Sequence, residues 1–100
     1  MAKGYWIARV DVHDPEAYRA YVASNGAVFR KFGARFLVRG GAAETVEGSV
    51  RHRNVILEFP SYSEALACYR SPEYQPVKAM RTGASDADIV IVEGYDGPQP

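Results

Sequence analysis

Cysteine is almost missing from this 100-residue chain: Cys68 stands alone, so no disulfide can close within it. An excess of either charge is missing too. Twelve Lys and Arg balance twelve Asp and Glu, which argues against nucleic acid or an anionic membrane as a partner, although a local basic patch stays open. No apolar run approaches the length of a membrane span, and no signal-peptide pattern begins the chain, so a cytoplasmic protein is expected. Histidine is scarce: His13 and His52 lack a third ligand candidate at metal-type spacing, and no metal is expected. Gly40 and Gly41 match no phosphate-loop pattern, and no Ser-His-acid set can be assigned. No cofactor is expected. Cys68, on an amphipathic stretch with no base or electropositive neighbour in sequence, reads as a small buried side chain and not as a nucleophile.

What is present is a chain with 47% hydrophobic residues, enough for a modest core. Its centre of organisation is Asn54–Ser61. Val55, Leu57 and Phe59 alternate with Asn54, Ile56 and Glu58, and Pro60 ends the ladder because it has no N–H. One face is apolar and the other mixed, as for a middle strand covered differently on its two sides.

The remaining elements follow in order. Lys3–Val12 is a strand with Trp6, Ala8, Val10 and Val12 on one face. Asp14-Pro15-Glu16 opens a helix as N-cap, N1 and dipole partner. That helix runs to about Phe32 on a stripe of Tyr18, Tyr21, Val22, Val28, Phe29 and Phe32, with a kink expected at Asn25-Gly26 and a glycine cap at Gly33. Ala34–Arg39 is the second strand. A loop to about Arg53 follows, longer than hairpins need, in which Val46 is a candidate for brief pairing. Pairing Arg39 with Asn54 sets Leu37 opposite Ile56, Arg35 opposite Glu58 and Phe36 opposite Leu57. Ser61-Tyr62-Ser63-Glu64 fits a capping box, and Ser71-Pro72-Glu73 repeats the signal, so two short helices are expected up to about Thr82. Ala87–Tyr95 is the last strand, read with Val90 and Val92 toward the helices. One domain over 1–96 with a tail at 97–100 is expected.

This order is βαββαβ. Two split βαβ units with right-handed crossovers give an α+β, ferredoxin-like fold: a four-stranded antiparallel sheet ordered 4-1-3-2 with helices on one face. The other face would carry Ile7, Leu37, Ile56, Ile89 and Ile91 inside a charged rim. That is too much aliphatic surface to leave wet, so a homodimer through the open sheet face is expected.

Five stretches carry a resemblance: Gly4-Tyr5-Trp6-Ile7-Ala8, Asp14-Pro15-Glu16-Ala17-Tyr18, Gly33 through Gly41, Glu58-Phe59-Pro60-Ser61 and Ser71-Pro72-Glu73-Tyr74. Together they closely resemble a bacterial family known as domain of unknown function 1330, over nearly the whole chain. The resemblance implies membership of the dimeric α/β-barrel group, which includes cofactor-free monooxygenases, muconolactone isomerase-like proteins and haem enzymes. A haem relative would need an axial histidine in the second helical region, and this chain has none there. The pattern departs from the family's at Ser24-Asn25-Gly26.

In this topology the ends of strands one and two, the start of strand three and the returning helical region meet. His13, Arg39, Tyr69 and Tyr74 are therefore candidate ligand-binding residues, with Asn25 reaching in from the first helix. Each has a plainer alternative: loop residue for His13, interface ion pair for Arg39, core aromatics for Tyr69 and Tyr74, helix break for Asn25. The function expected is binding of a small organic molecule by a dimer, as in a cofactor-independent monooxygenase or isomerase. The alternative is a non-catalytic metabolite-binding or structural dimerisation module.

Overall fold

The computed structural model describes residues 2–100. Its elements are β1 (Gly4–Val12), α1 (Pro15–Lys31), β2 (Arg35–Arg39), β3 (Arg53–Phe59), α2 (Tyr62–Arg70), α3 (Tyr74–Ala79) and β4 (Ser85–Glu93). The sheet runs β2-β3-β1-β4, with every neighbouring pair antiparallel. Read from the other edge this is 4-1-3-2, the ferredoxin-like order.

Local chemistry sets the helix ends. The Asp14 side chain accepts from the Ala17 N–H at 3.1 Å and Pro15 takes the first helical position. Ser61 caps α2 by accepting from the Glu64 N–H at 3.1 Å. The Ser71 hydroxyl accepts from the Tyr74 N–H at 3.1 Å and donates to the Cys68 carbonyl at 2.8 Å, so one side chain closes α2 and starts α3. Gly33 follows α1 at φ +74°, the left-handed conformation expected of a glycine cap. Contrary to expectation, α1 is unbroken through Asn25-Gly26. A Cβ on Gly26 would meet nothing within 4 Å, so the glycine costs only propensity.

The core lies between helices and sheet, and Trp6 is its centre. Its ring packs on Phe29, Phe59, Tyr69 and Tyr74 at centroid distances of 5.2–5.6 Å, and its Nε1 donates to the Ala65 carbonyl at 2.8 Å. Aromatic pairs of this geometry add about 0.5–1.5 kcal/mol each beyond burial.

Two strand assignments need correction. In β4 the faces are reversed: Ile91 pairs with Trp6, Ile89 with Ala8 and Ala87 with Val10, so these three face the helices. Val90 and Val92 stand on the open face, 50% and 40% exposed. Ile and Val alternate in the second half of this strand and carry no parity signal there; Asp86 and Asp88, which share the face of Val90 and Val92, and the pairing with β1 decide it. In β2 the register begins as expected, Arg35 opposite Glu58 and Phe36 opposite Leu57, but a bulge at Leu37 then sets Val38 opposite Ile56 and Arg39 opposite Val55. Leu37 and Val38 thus share the open face and Arg39 turns to the helix face. The expected Arg35–Glu58 ion pair forms at 3.2 Å, and the Tyr5 hydroxyl donates to the same carboxylate at 3.1 Å.

The segment 40–52 carries no strand, and Val46 is 84% exposed and unpaired, unlike the brief pairing expected. Its start is held by the Gly40 N–H, which donates to the Asn54 carbonyl at 2.8 Å, and its end by side chains. Arg51 bridges Asp11 at 2.8 Å and Asp88 at 2.9 Å, while the His52 N–H donates to Asp11 at 3.2 Å. No helix among the described residues is long and apolar enough to cross a membrane.

Candidate functional site

A cavity of about 30 Å³ lies between α1 and the sheet, room for one or two waters. The strands supply Trp6, Ala8 and Val10 from β1, Phe36 and Arg39 from β2, Arg53, Val55 and Leu57 from β3, and Ala87 and Ile89 from β4. Tyr18, Tyr21, Val22, Asn25 and Phe29 come from α1, and Arg81 from the turn after α3. Outside it, an open groove of about 400 Å³ is bounded by Val12, Pro15, Tyr18, Arg19, Val22 and Arg53. Tyr18, Val22 and Arg53 therefore form the partition between cavity and groove.

Three guanidiniums surround this space, each on an aromatic face. Arg39 lies 4.1 Å from the Phe36 ring centroid, Arg53 5.7 Å from Tyr18 and Arg81 5.4 Å from Tyr21. Among the described residues no ion pair reaches any of the three, and no carboxylate or imidazole lines the cavity. Gly40, at φ +69°, leaves room for one of them: a Cβ there would meet the Arg53 guanidinium at 2.4 Å. Among the described residues three buried side-chain polar atoms lack a hydrogen-bond partner, and all belong to lining residues: Asn25 Oδ1, Arg53 Nε and Arg81 Nε. Asn25 is only 5% exposed. An unmet buried group of this kind costs about 1–3 kcal/mol, so a native protein keeping three in one place calls for an explanation.

Behind the cavity the Tyr21 and Tyr74 hydroxyls share a 2.7 Å hydrogen bond, and an Arg81 Nη2 lies 3.5 Å from the Tyr74 oxygen. Burial raises the phenol pKa of Tyr18, Tyr21 and Tyr74 above the ordinary tyrosine range, so all three are neutral donors and not bases. Cys68 is wholly buried in α2, its thiol pushed up to about 12 by burial and by the Glu73 and Glu64 carboxylates. It is no nucleophile in this state.

Of the residues singled out from sequence, Asn25 and Arg39 line the cavity. Tyr74 stands one side chain back, bonded to Tyr21. Tyr69 packs on Trp6 and Tyr74 with Lys78 over its ring, away from the lining. His13 is exposed at the β1–α1 junction, its Nε2 2.6 Å from Asp86. Sequence reasoning missed Arg53 and Arg81. Arg53 was legible: it shares parity with Val55, Leu57 and Phe59 and so faces the helices. Arg81 carries no such signal, because its position depends on how α3 returns to β4.

The fold is similar to several solved structures. A protein of unknown function from Rhodopseudomonas palustris, RPA0582, shares 20% identity at a TM-score of 0.74, over 96% of this chain and 85% of that one. SnoaB, a cofactor-independent oxygenase from Streptomyces nogalater, shares 13% identity at a TM-score of 0.64, over 100% and 97%. A dimeric ferredoxin-like protein of unknown function from Thermobifida fusca shares 14% identity at a TM-score of 0.59, over 92% and 89%. No curated protein matches the chain. The family model for domain of unknown function DUF1330 matches residues 3–95, and with the sheet order and the five sequence stretches described above in agreement, the chain belongs to that family.

Proposed function

We propose that this protein is a homodimer that binds a small organic molecule in the cavity beneath α1, in the manner of the cofactor-independent oxygenases and isomerases. The observation that carries this reading is the Asn25 side-chain oxygen, buried without a partner and lining an otherwise mostly apolar cavity. A ligand hydroxyl or amide N–H donating to it would remove the desolvation cost. Arg39 stands at the same cavity, with Tyr74 supporting Tyr21 from behind. The fold likeness to SnoaB supports a cavity of this kind without naming a substrate.

The dimer rests on the open sheet face. Leu37, Val38, Val90 and Val92 are exposed there around half-buried Ile7 and Ile56. A face this apolar fits a second copy of itself across a two-fold axis. The likeness to a dimeric protein of the same fold supports this.

A second reading, a non-catalytic metabolite-binding module, is favoured by one observation: no side chain lining the cavity is a proton acceptor near neutral pH. Thermal-shift screening with small phenols, lactones and hydroxy acids tests binding; a panel without any stabilising compound overturns it. Oxygen uptake or isomerisation of the hits then separates enzyme from binding module, and light scattering that finds monomers at micromolar concentration overturns the dimer.

A further inference from the structure

We infer that the cavity selects an organic oxyanion: a small carboxylate carrying a hydroxyl, the carboxylate held by Arg53 and Arg81 with Arg39 closing over it, and the hydroxyl donating to Asn25 Oδ1. This rests on the small-molecule reading above and gives its ligand a chemical class.

Three observations converge. The unpartnered atoms are two guanidinium N–H donors and one amide acceptor, so a molecule that meets all three must itself both accept and donate. A carboxylate accepts from two guanidiniums at once, and charge-assisted bonds of that type are the stronger ones. Among the described residues no carboxylate pairs with these guanidiniums, so the site is poised with uncompensated positive charge although the whole molecule has none in excess. The aromatic faces of Phe36, Tyr18 and Tyr21 lie against those guanidiniums and supply an apolar flank for the ligand's carbon skeleton. One or two waters would meet the donors and the acceptor separately, but would leave the charge unmet.

The same arrangement sets the way in. The enclosed 30 Å³ takes no ring, whereas the groove outside is about 400 Å³, and Arg53 belongs to both. Displacing Arg53 outward joins the two spaces, so that the ligand's skeleton lies across both with the guanidinium on its carboxylate.

The test uses matched acid and amide pairs on the full chain: glycolate against glycolamide, and 4-hydroxybenzoate against 4-hydroxybenzamide, with benzoate and phenol as single-group controls, measured by titration calorimetry. At least one acid should bind at least about tenfold more tightly than its amide. That ratio should fall toward one in Arg53→Gln and in Arg81→Gln, and in raised salt. Asn25→Leu should erase the preference for hydroxybenzoate over benzoate while leaving the acid-to-amide ratio of the benzoate skeleton. Circular dichroism of each variant separates lost binding from lost fold. Phenol and the amides binding as well as the acids would overturn the anion assignment and leave the small-molecule reading standing. Failure of acids, amides and phenol alike would overturn both.

Discussion

Asn25 keeps a buried oxygen without a hydrogen-bond partner, which lowers stability. Its oxygen is desolvated without return in the free protein. Asn25→Leu, alike in branching, should therefore raise the stability of the ligand-free chain by about 1 kcal/mol, read as a higher urea midpoint at unchanged slope. An unchanged or lowered midpoint would mean the amide is already satisfied. Trp6 is the opposite case, with ring and N–H both fully used. Trp6→Leu should cost about 3 kcal/mol or more, from lost packing and the lost indole bond to the Ala65 carbonyl, measured the same way. The sequence made Trp6 legible as core through its alternation with Ala8 and Val10. It left Asn25 ambiguous between helix break and cavity, because a helical stripe shows which face a residue takes and not whether its polar atoms find partners.

At the level of elements, the middle of the fold was the most readable. From Asn54 onward β3 alternates an apolar face with a mixed one, and its expected pairing with β2 holds at Arg35 and Phe36. The bulge at Leu37 had no signature in the residues, yet it turns Arg39 from the open face to the cavity. β4 failed for a different reason: its Ile-Val run is aliphatic on both faces, and the parity is set by Asp86 and Asp88 at its start and by its partner strand. The segment 40–52 depends on a few ionic contacts. Asp11 has its pKa lowered below the ordinary carboxylate range, first by the His52 backbone N–H and then by Arg51. A depressed carboxylate stabilises above its unfolded pKa and loses that contribution as pH falls through the folded one. The loop end should therefore detach from β1 below about pH 4, seen as amide exchange at Arg51 and His52 accelerating before that of β1. Asp11→Asn should give the same fast exchange at neutral pH.

For the whole molecule, two consequences are measurable. Charging the open face should split the proposed dimer: Val90→Lys, central and half-exposed, should give a monomer by light scattering with the helices intact. A dimer surviving that change would place the interface elsewhere. The second concerns alkali. Tyr18, Tyr21 and Tyr74 all have raised pKa values through burial. The unfolded chain releases those protons first, so stability is full below the unfolded tyrosine value of about 10 and declines as pH rises above it. Denaturant midpoints should fall steeply above that pH. Tyrosinate absorbance should show these three phenols ionising only as the protein unfolds. The fold class was legible from order and parity. The cavity was not, because it arises where four strands, α1 and the α3–β4 turn meet, and no local pattern encodes that meeting.

Trp6 is the chain's single tryptophan, and it lines the cavity. The protein thus carries its own fluorophore at the place where a ligand would settle. Emission quenched or shifted by a bound acid, without any attached label, would let occupancy be followed in real time, and the same indole would turn red as the chain opens.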